Sequence, residues 1–195
     1  RRFKRSLSKY QPLVRVKIYK NALLHNYELI KKLNPAIQIA PVLKSNAYGH
    51  GLVEVAAIFE PQNPTFLVVD SPFEAILLRK AGIKTPVLIL DYTTPRNIAN
   101  LKLFLVSYGI TDTLQLKQLA ALVKRPTKIH LKIDTGLHRQ GIPPESLPAA
   151  LAIIKNQPRL LLEGVFTHLG DPVGHASLTK EVQIQRWEEA LARAL

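Results

Sequence analysis

Short apolar runs alternate along the chain with stretches whose apolar residues recur every three or four positions. Runs of the first kind read as buried strands, and stretches of the second as helices lying on them. Val14-Arg15-Val16-Lys17-Ile18 alternates like a half-exposed strand, and Leu23, Leu24, Tyr27, Ile30 and Leu33 keep helical spacing until Pro35 stops the pattern. Ile37 to Lys44 reads as a strand, and Leu52, Val55, Ala56 and Phe59 as one face of a helix. Phe66 to Asp70 reads as the next strand. The helix after it has Ser71 as N-cap, Pro72 at its first position, Glu74 completing a capping box and Gly82 at its stop. Further strands follow at 87–91, 104–110, 129–134 and 160–168, with helices after Pro95 and over 113–124, 147–155 and 179–195. The last helix puts Val182, Trp187, Ala190 and Leu191 near one face.

Apolar strands alternating with amphipathic helices predict a parallel sheet covered by helices. A (β/α)₈ barrel and an open doubly wound sheet both satisfy the alternation. No GxGxxG follows the early strands, which counts against dinucleotide binding. Lys44, the segment Asp134 to Arg139, and His168 all fall at carboxyl ends of strands, where barrel enzymes hold their active sites. About six strand-helix units are present, whereas closure takes eight and typically ~250 residues.

Composition narrows the function classes. The 195 residues suffice for one sizeable core, and no apolar stretch approaches the ~20 residues that cross a bilayer. Without cysteine there is no disulfide or thiol chemistry, in keeping with a cytoplasmic protein. The first residue is Arg1 and methionine is absent, so the chain is expected to be a piece of a longer protein. The net charge of +13 raises nucleic-acid binding, but the basic residues are spread over helix faces, without an aromatic-interleaved stripe. The exception is the cluster Arg1 to Arg5, read as part of a basic tail over residues 1–13. Neither a specific nucleic-acid partner nor a membrane is expected, and no metal site.

One position carries the candidate chemistry. Lys44 closes the run Ile39-Ala40-Pro41-Val42-Leu43, and an ammonium there is costly to desolvate unless it is neutral or covalently used. The glycines at 49 and 51 allow a tight turn into the following helix. Such an amine suits attack on an aldehyde to form a Schiff base, and the natural aldehyde is pyridoxal 5'-phosphate (PLP). A snorkelling lysine is the plain alternative.

The string VLKSNAYGHG, Val42 to Gly51, resembles the lysine motif of the alanine racemase family, fold-type III PLP enzymes that interconvert L- and D-alanine. LKIDTGLHRQG, Leu131 to Gly141, is similar to the family's arginine-bearing strand motif, and GVFTHLG, Gly164 to Gly170, to its strand-ending histidine motif. The resemblance implies an α/β fold of the (β/α)₈ TIM-barrel type over residues 14–195, incomplete, without the family's C-terminal β-domain. It implies that Lys44 bears PLP and is one of two bases, that Tyr48 binds the cofactor phosphate, and that Arg139 contacts the PLP phenolic oxygen and the substrate carboxylate. His168 would lie beside the pyridine ring, and Leu90 matches the family's apolar cofactor neighbour loosely. Lys132 matches a lysine that is carbamylated in many members; pairing with Asp134 is the other role open to it. His50 receives no catalytic role.

Asp70 and Asp91 end adjacent strands and are expected to cap the next helices, although lining the site is open to them too. Leu137, Gln140 and the segment Leu169 to Pro172 depart from the family's usual choices. The second base is implied to be a tyrosine from the partner subunit's C-terminal domain, in a head-to-tail homodimer. The rest of the phosphate site and the arginine facing the pyridine nitrogen would lie downstream. The expected function is therefore that of an alanine racemase supplying D-alanine for peptidoglycan, with little activity in this piece alone. The alternatives are a racemase of serine or another amino acid, and a non-catalytic single-domain PLP-binding protein.

Overall fold

The computed structural model describes residues 13–14, 16–170 and 179–194. The chain divides between Ile37 and Gln38 into two compact units. In the first, α1 (Lys20–Leu33) is the regular element described, and it stops at Asn34, just before Pro35. Tyr27 is its buried residue, while Ile30 and Leu33 of the predicted stripe are exposed. Residues 16–18 form no strand, because alternation makes a strand only where a neighbour is there to pair with it. Apart from Leu13, the proposed basic tail lies outside the described residues, as does the departure at Asp171 and Pro172.

The second unit holds α2 (Leu52–Phe59), β1 (Leu67–Val69), α3 (Pro72–Lys80), β2 (Val87–Ile89), α4 (Pro95–Asn100) and β3 (Val106–Ile110). It continues with α5 (Thr113–Leu122), β4 (Thr127–Ile133), α6 (Leu147–Lys155), β5 (Leu160–Thr167) and α7 (Lys180–Ala194). The strands are all parallel and lie in the order β1-β2-β3-β4-β5. A doubly wound sheet would reverse its order at a switch point, so the unbroken sequence is that of a barrel arc. The strand expected over Ile37–Lys44 shrinks to one bridge, Val42 to Val68. Leu43 donates to the Val68 carbonyl at 2.7 Å and Val68 to the Pro41 carbonyl at 2.9 Å. Pro41 has no N–H of its own to extend the ladder.

Pairing puts Val69, Ile89, Tyr108 and Ile129 on one face of the sheet. Ile89, Ile110, Ile129 and Leu131 are wholly buried on that side, as are Leu78, Ile98, Leu116, Leu119 and Leu147 of the covering helices. Each such side chain contributes roughly 1.5–3 kcal/mol of burial free energy. The opposite face carries a polar cluster on β3 to β5, below its upper end. There Glu163 accepts from the Ser107 hydroxyl, from Lys128 at 2.5 Å, and lies 3.2 Å from His130 Nε2. Glu163 reaches this cluster because it is the extra residue of a bulge, where the register steps from Ile129–Leu162 to His130–Gly164. A Cβ at Gly164 would stand 2.8 Å from His130 Nδ1, so the ring requires a glycine beside it.

Two outcomes follow for stability. Leu131→Ala should lower the unfolding free energy of the full-length protein by about 3 kcal/mol, seen as a lower urea midpoint. Burial holds the His130 imidazole below its ordinary value of 6.5, outweighing the pull of Glu163. Below pH 6.5 the unfolded chain therefore takes up a proton that the folded chain refuses, and stability falls with acidification until the folded value is passed. In His130→Gln the slope of stability against pH should flatten in this window.

Candidate active site

The Val42 bridge and all strands of the second unit except β3 deliver residues to one cavity from their carboxyl ends. Lys44 follows the Val42 bridge, Asp70 follows β1, Leu90 and Asp91 follow β2, and His168 follows β5. Lys132 is the penultimate residue of β4, and Arg139 lies in the loop beyond it. All seven, together with Tyr48, Val42, Val68, Phe166 and Thr167, line one cavity of about 290 Å³. Every residue nominated from the sequence as a site residue is among them.

The segment after Lys44 is built differently from the sequence expectation. Ser45, Asn46, Ala47 and Tyr48 have φ of 53°, 58°, 52° and 55°, one turn of left-handed helix made without glycine. The freedom provided by Gly49 and Gly51 is used only after that turn. A left-handed helical residue with a Cβ costs roughly 1–2 kcal/mol, so this turn persists only because its surroundings hold it. The Asn46 side chain accepts the Leu52 N–H at 2.8 Å, and the Gly51 N–H returns to the Asn46 carbonyl at 3.0 Å. From the first turn of α3, Glu74 accepts the Asn46 N–H at 3.2 Å.

Lys44 Nζ lies 3.4 Å from Asp70 Oδ1, an ion pair whose geometry falls short of a hydrogen bond and leaves that buried oxygen without a hydrogen-bond partner. The Lys44 side chain is 31% exposed, so the desolvation argument made from its strand context is weaker than expected. Burial lifts the Asp70 carboxyl above its ordinary value; Lys44 opposes this, while Asp91 and Glu74 add to it. The expected capping role of Asp70 and Asp91 is not what the structure shows. Ser71 caps α3 and Thr94 caps α4, each accepting the N–H three residues on at 3.3 Å, which leaves both aspartates to the cavity.

Lys132 is 4% exposed and donates to Gln140 Oε1 at 3.1 Å, with the Phe166 ring 6.0 Å away. The pairing with Asp134, one of the two roles open to it, does not form. Asp134 instead accepts the N–H groups of Gly136 and His138 at 2.9 and 3.1 Å, closing the loop that carries Arg139. That loop returns at Ile142, whose N–H bonds the Lys132 carbonyl at 2.8 Å and whose carbonyl accepts from Asp134 at 3.0 Å. Gly141 makes the return possible: φ there is +144°, and a Cβ would lie 2.6 Å from the Asp134 nitrogen. Burial, reinforced by Arg139, pushes the Lys132 amine below its usual value. His168 is lowered likewise, first by burial and then by Arg139, Lys132 and Lys44.

The family profile described as alanine racemase, N-terminal domain, matches residues 18–195. The chain belongs to the alanine racemase family. It is 35% identical to an alanine racemase of Syntrophobacter fumaroxidans over 175 residues, 88% of this chain and 47% of that protein. It is 38% identical to a serine/alanine racemase of Enterococcus gallinarum over 154 residues, 77% of this chain and 21% of that protein. The alanine racemase crystal structure from E. faecalis superposes with a TM-score of 0.81 at 29% identity, covering 90% of this chain and 49% of that one. The chain thus spans about half the length, or less, of the family members it matches.

Sequence reasoning did not single out the supports of the site. Gln183 of α7 is 1% exposed and clamps Gly170, accepting its N–H and donating to its carbonyl, both at 2.8 Å, two residues beyond His168. Gln115 does the same between strand ends, accepting the Thr111 N–H at 2.7 Å and donating to the Thr93 carbonyl at 2.8 Å. A glutamine on an otherwise apolar helix face was the available signal in both. His168 should titrate below 6.5 by NMR in cofactor-free protein, and Arg139→Gln should bring its midpoint back toward that value.

Proposed function

We propose that this chain is the cofactor-binding barrel portion of a PLP-dependent alanine racemase. The observation that carries the reading is the meeting of the Lys44 amine, the Arg139 guanidinium, the His168 ring and the Tyr48 phenol around one cavity with apolar walls. A flat, anionic aromatic aldehyde fits such a place. Val42, Val68, Leu90 and Phe166 offer ring contact, and Lys44 and Arg139 bring cationic groups to an anionic ligand. Lys44 would hold the aldehyde carbon, Tyr48 the phosphate and Arg139 the phenolic oxygen. His168, kept neutral by burial and by its cationic neighbours, would pack at the ring without competing for protons. When bound, PLP supplies an electron sink that acidifies the hydrogen on the α-carbon of an amino acid.

The chain's own residues do the rest. The Lys44 amine takes or returns the α-proton on one face of the substrate, and Asp70 beside it balances the charge that the amine acquires. The Arg139 fork binds the substrate carboxylate, a task suited to a planar and permanently charged group. The buried Lys132 amine, lowered by its surroundings and next to Arg139, is the proposed site of carbamylation; the resulting anion would attract Arg139 instead of repelling it. The opposite face of the substrate needs a second base, which this reading assigns to a partner subunit in a homodimer. The product, D-alanine, would serve peptidoglycan assembly in the cytoplasm. Serine is the second candidate substrate, favoured by the 38% identity to the serine/alanine racemase.

In the full-length protein, borohydride reduction should fix PLP to the peptide that contains Lys44. Lys44→Ala should abolish that adduct and lower racemisation by at least about 10²–10⁴-fold. An adduct that persists on the same peptide in the variant would sink the assignment.

A further inference from the structure

We infer that Glu74 is a positioning residue for Lys44, holding the left-handed turn and the lysine's carboxylate neighbour in one two-pronged grip. The inference rests on the reading of Lys44 as the cofactor lysine. Glu74 is 8% exposed and sits in the first turn of α3, where its two oxygens have separate tasks. Oε1 accepts the Asn46 N–H at 3.2 Å, and Oε2 accepts the Asp70 N–H at 2.8 Å. Asn46 stands two residues after Lys44, inside the strained turn. Asp70 carries the carboxylate that meets Lys44 Nζ at 3.4 Å, and its other oxygen lies 3.5 Å from the Ser45 hydroxyl. Three consecutive residues, Lys44, Ser45 and Asn46, are therefore tied to two carboxylates of one strand-helix junction.

The capping box predicted from Ser71 and Glu74 explains only part of this arrangement. Ser71 does accept the Glu74 N–H at 3.3 Å. The Glu74 side chain, however, does not turn back to the Ser71 N–H, as the reciprocal half of a capping box would. It reaches one residue further, to Asp70, and across to the neighbouring chain segment, to Asn46. An uncharged amide in its place keeps one acceptor oxygen and sets an NH₂ against the second backbone N–H. Glutamine can thus satisfy one prong and not both.

Amide hydrogen exchange on the cofactor-free, full-length protein tests the grip without recourse to activity. Glu74→Gln should speed exchange in the peptide spanning residues 44–51 roughly tenfold, the loss of one hydrogen bond to a charged acceptor, while β3 and β4 keep their protection. In the PLP-loaded protein the same variant should shift the pH midpoint of the cofactor's absorbance change, because the Lys44–Asp70 distance is no longer fixed. Glu74→Asp keeps the charge but shortens the arm, and should give the same local result if the glutamine variant does not fold. Unchanged exchange over 44–51 would overturn the inference. So would a loss of protection spread across β1 to β4 that Ser71→Ala reproduces, since that marks a helix-start role alone. Failure of the cofactor reading would show separately, as wild-type protein that yields no adduct at Lys44 whatever the exchange result.

Discussion

The charged groups of the cavity stand at or beyond the carboxyl ends of parallel segments, and the structure depends on that constraint. Strands that run the same way and pair in sequential order point their carboxyl ends to one mouth. Connections after the Val42 bridge, β1, β2, β4 and β5 thus place a lysine, two aspartates, an arginine and a histidine around 290 Å³, although more than a hundred positions separate Lys44 from His168. The apolar face of the same strands is buried under the helices, so the mouth can be polar while the sheet stays anchored.

A polar mouth has to manage its own charges. Lys44, Lys132 and Arg139 would repel one another if nothing intervened. Asp70 answers the first, and the Gln140 oxygen together with the Phe166 ring answers the second. Arg139 is carried on a loop whose shape is fixed by Asp134 and Gly141, so its position is a property of backbone hydrogen bonds and of one absent Cβ. The same economy recurs at Gly170 and Thr111, where Gln183 and Gln115 satisfy backbone groups at strand ends that would otherwise be buried and unpaired. The rigidity of the site thus comes from amides and carboxylates one step removed from the residues that face the cavity.

The strand-helix alternation, the helix starts at Ser71 and Thr113, and the cavity-lining residues Lys44, Tyr48, Arg139 and His168 were legible in the amino-acid string. Hydrophobic period and cap chemistry are local properties, and the three motifs are contiguous segments. The strand at Ile37–Lys44 was read too long, because a proline within an apolar run looks like any other buried residue until its missing N–H is counted. For Asp70 and Asp91 capping is the preferred reading and lining the site the open alternative, and the structure shows the latter. An aspartate before a helix is an ordinary cap; here Ser71, already legible as the cap of its helix, and Thr94 take that duty and free the carboxylates.

The sequence by itself determined an α/β chain with parallel strands, the family to which it belongs, and the amine and the arginine that line its cavity. Those follow from period, composition and short motifs, which act over a few residues. The tertiary structure alone decided that the sheet winds as a barrel arc, that the turn after Lys44 is left-handed, and that Lys44 faces Asp70 while Lys132 turns to Gln140. The reason is physical: a φ near +55° at serine, asparagine, alanine and tyrosine is unfavourable for each residue taken alone. It is held by hydrogen bonds that include one from a helix 28 residues away, an interaction that no local pattern encodes.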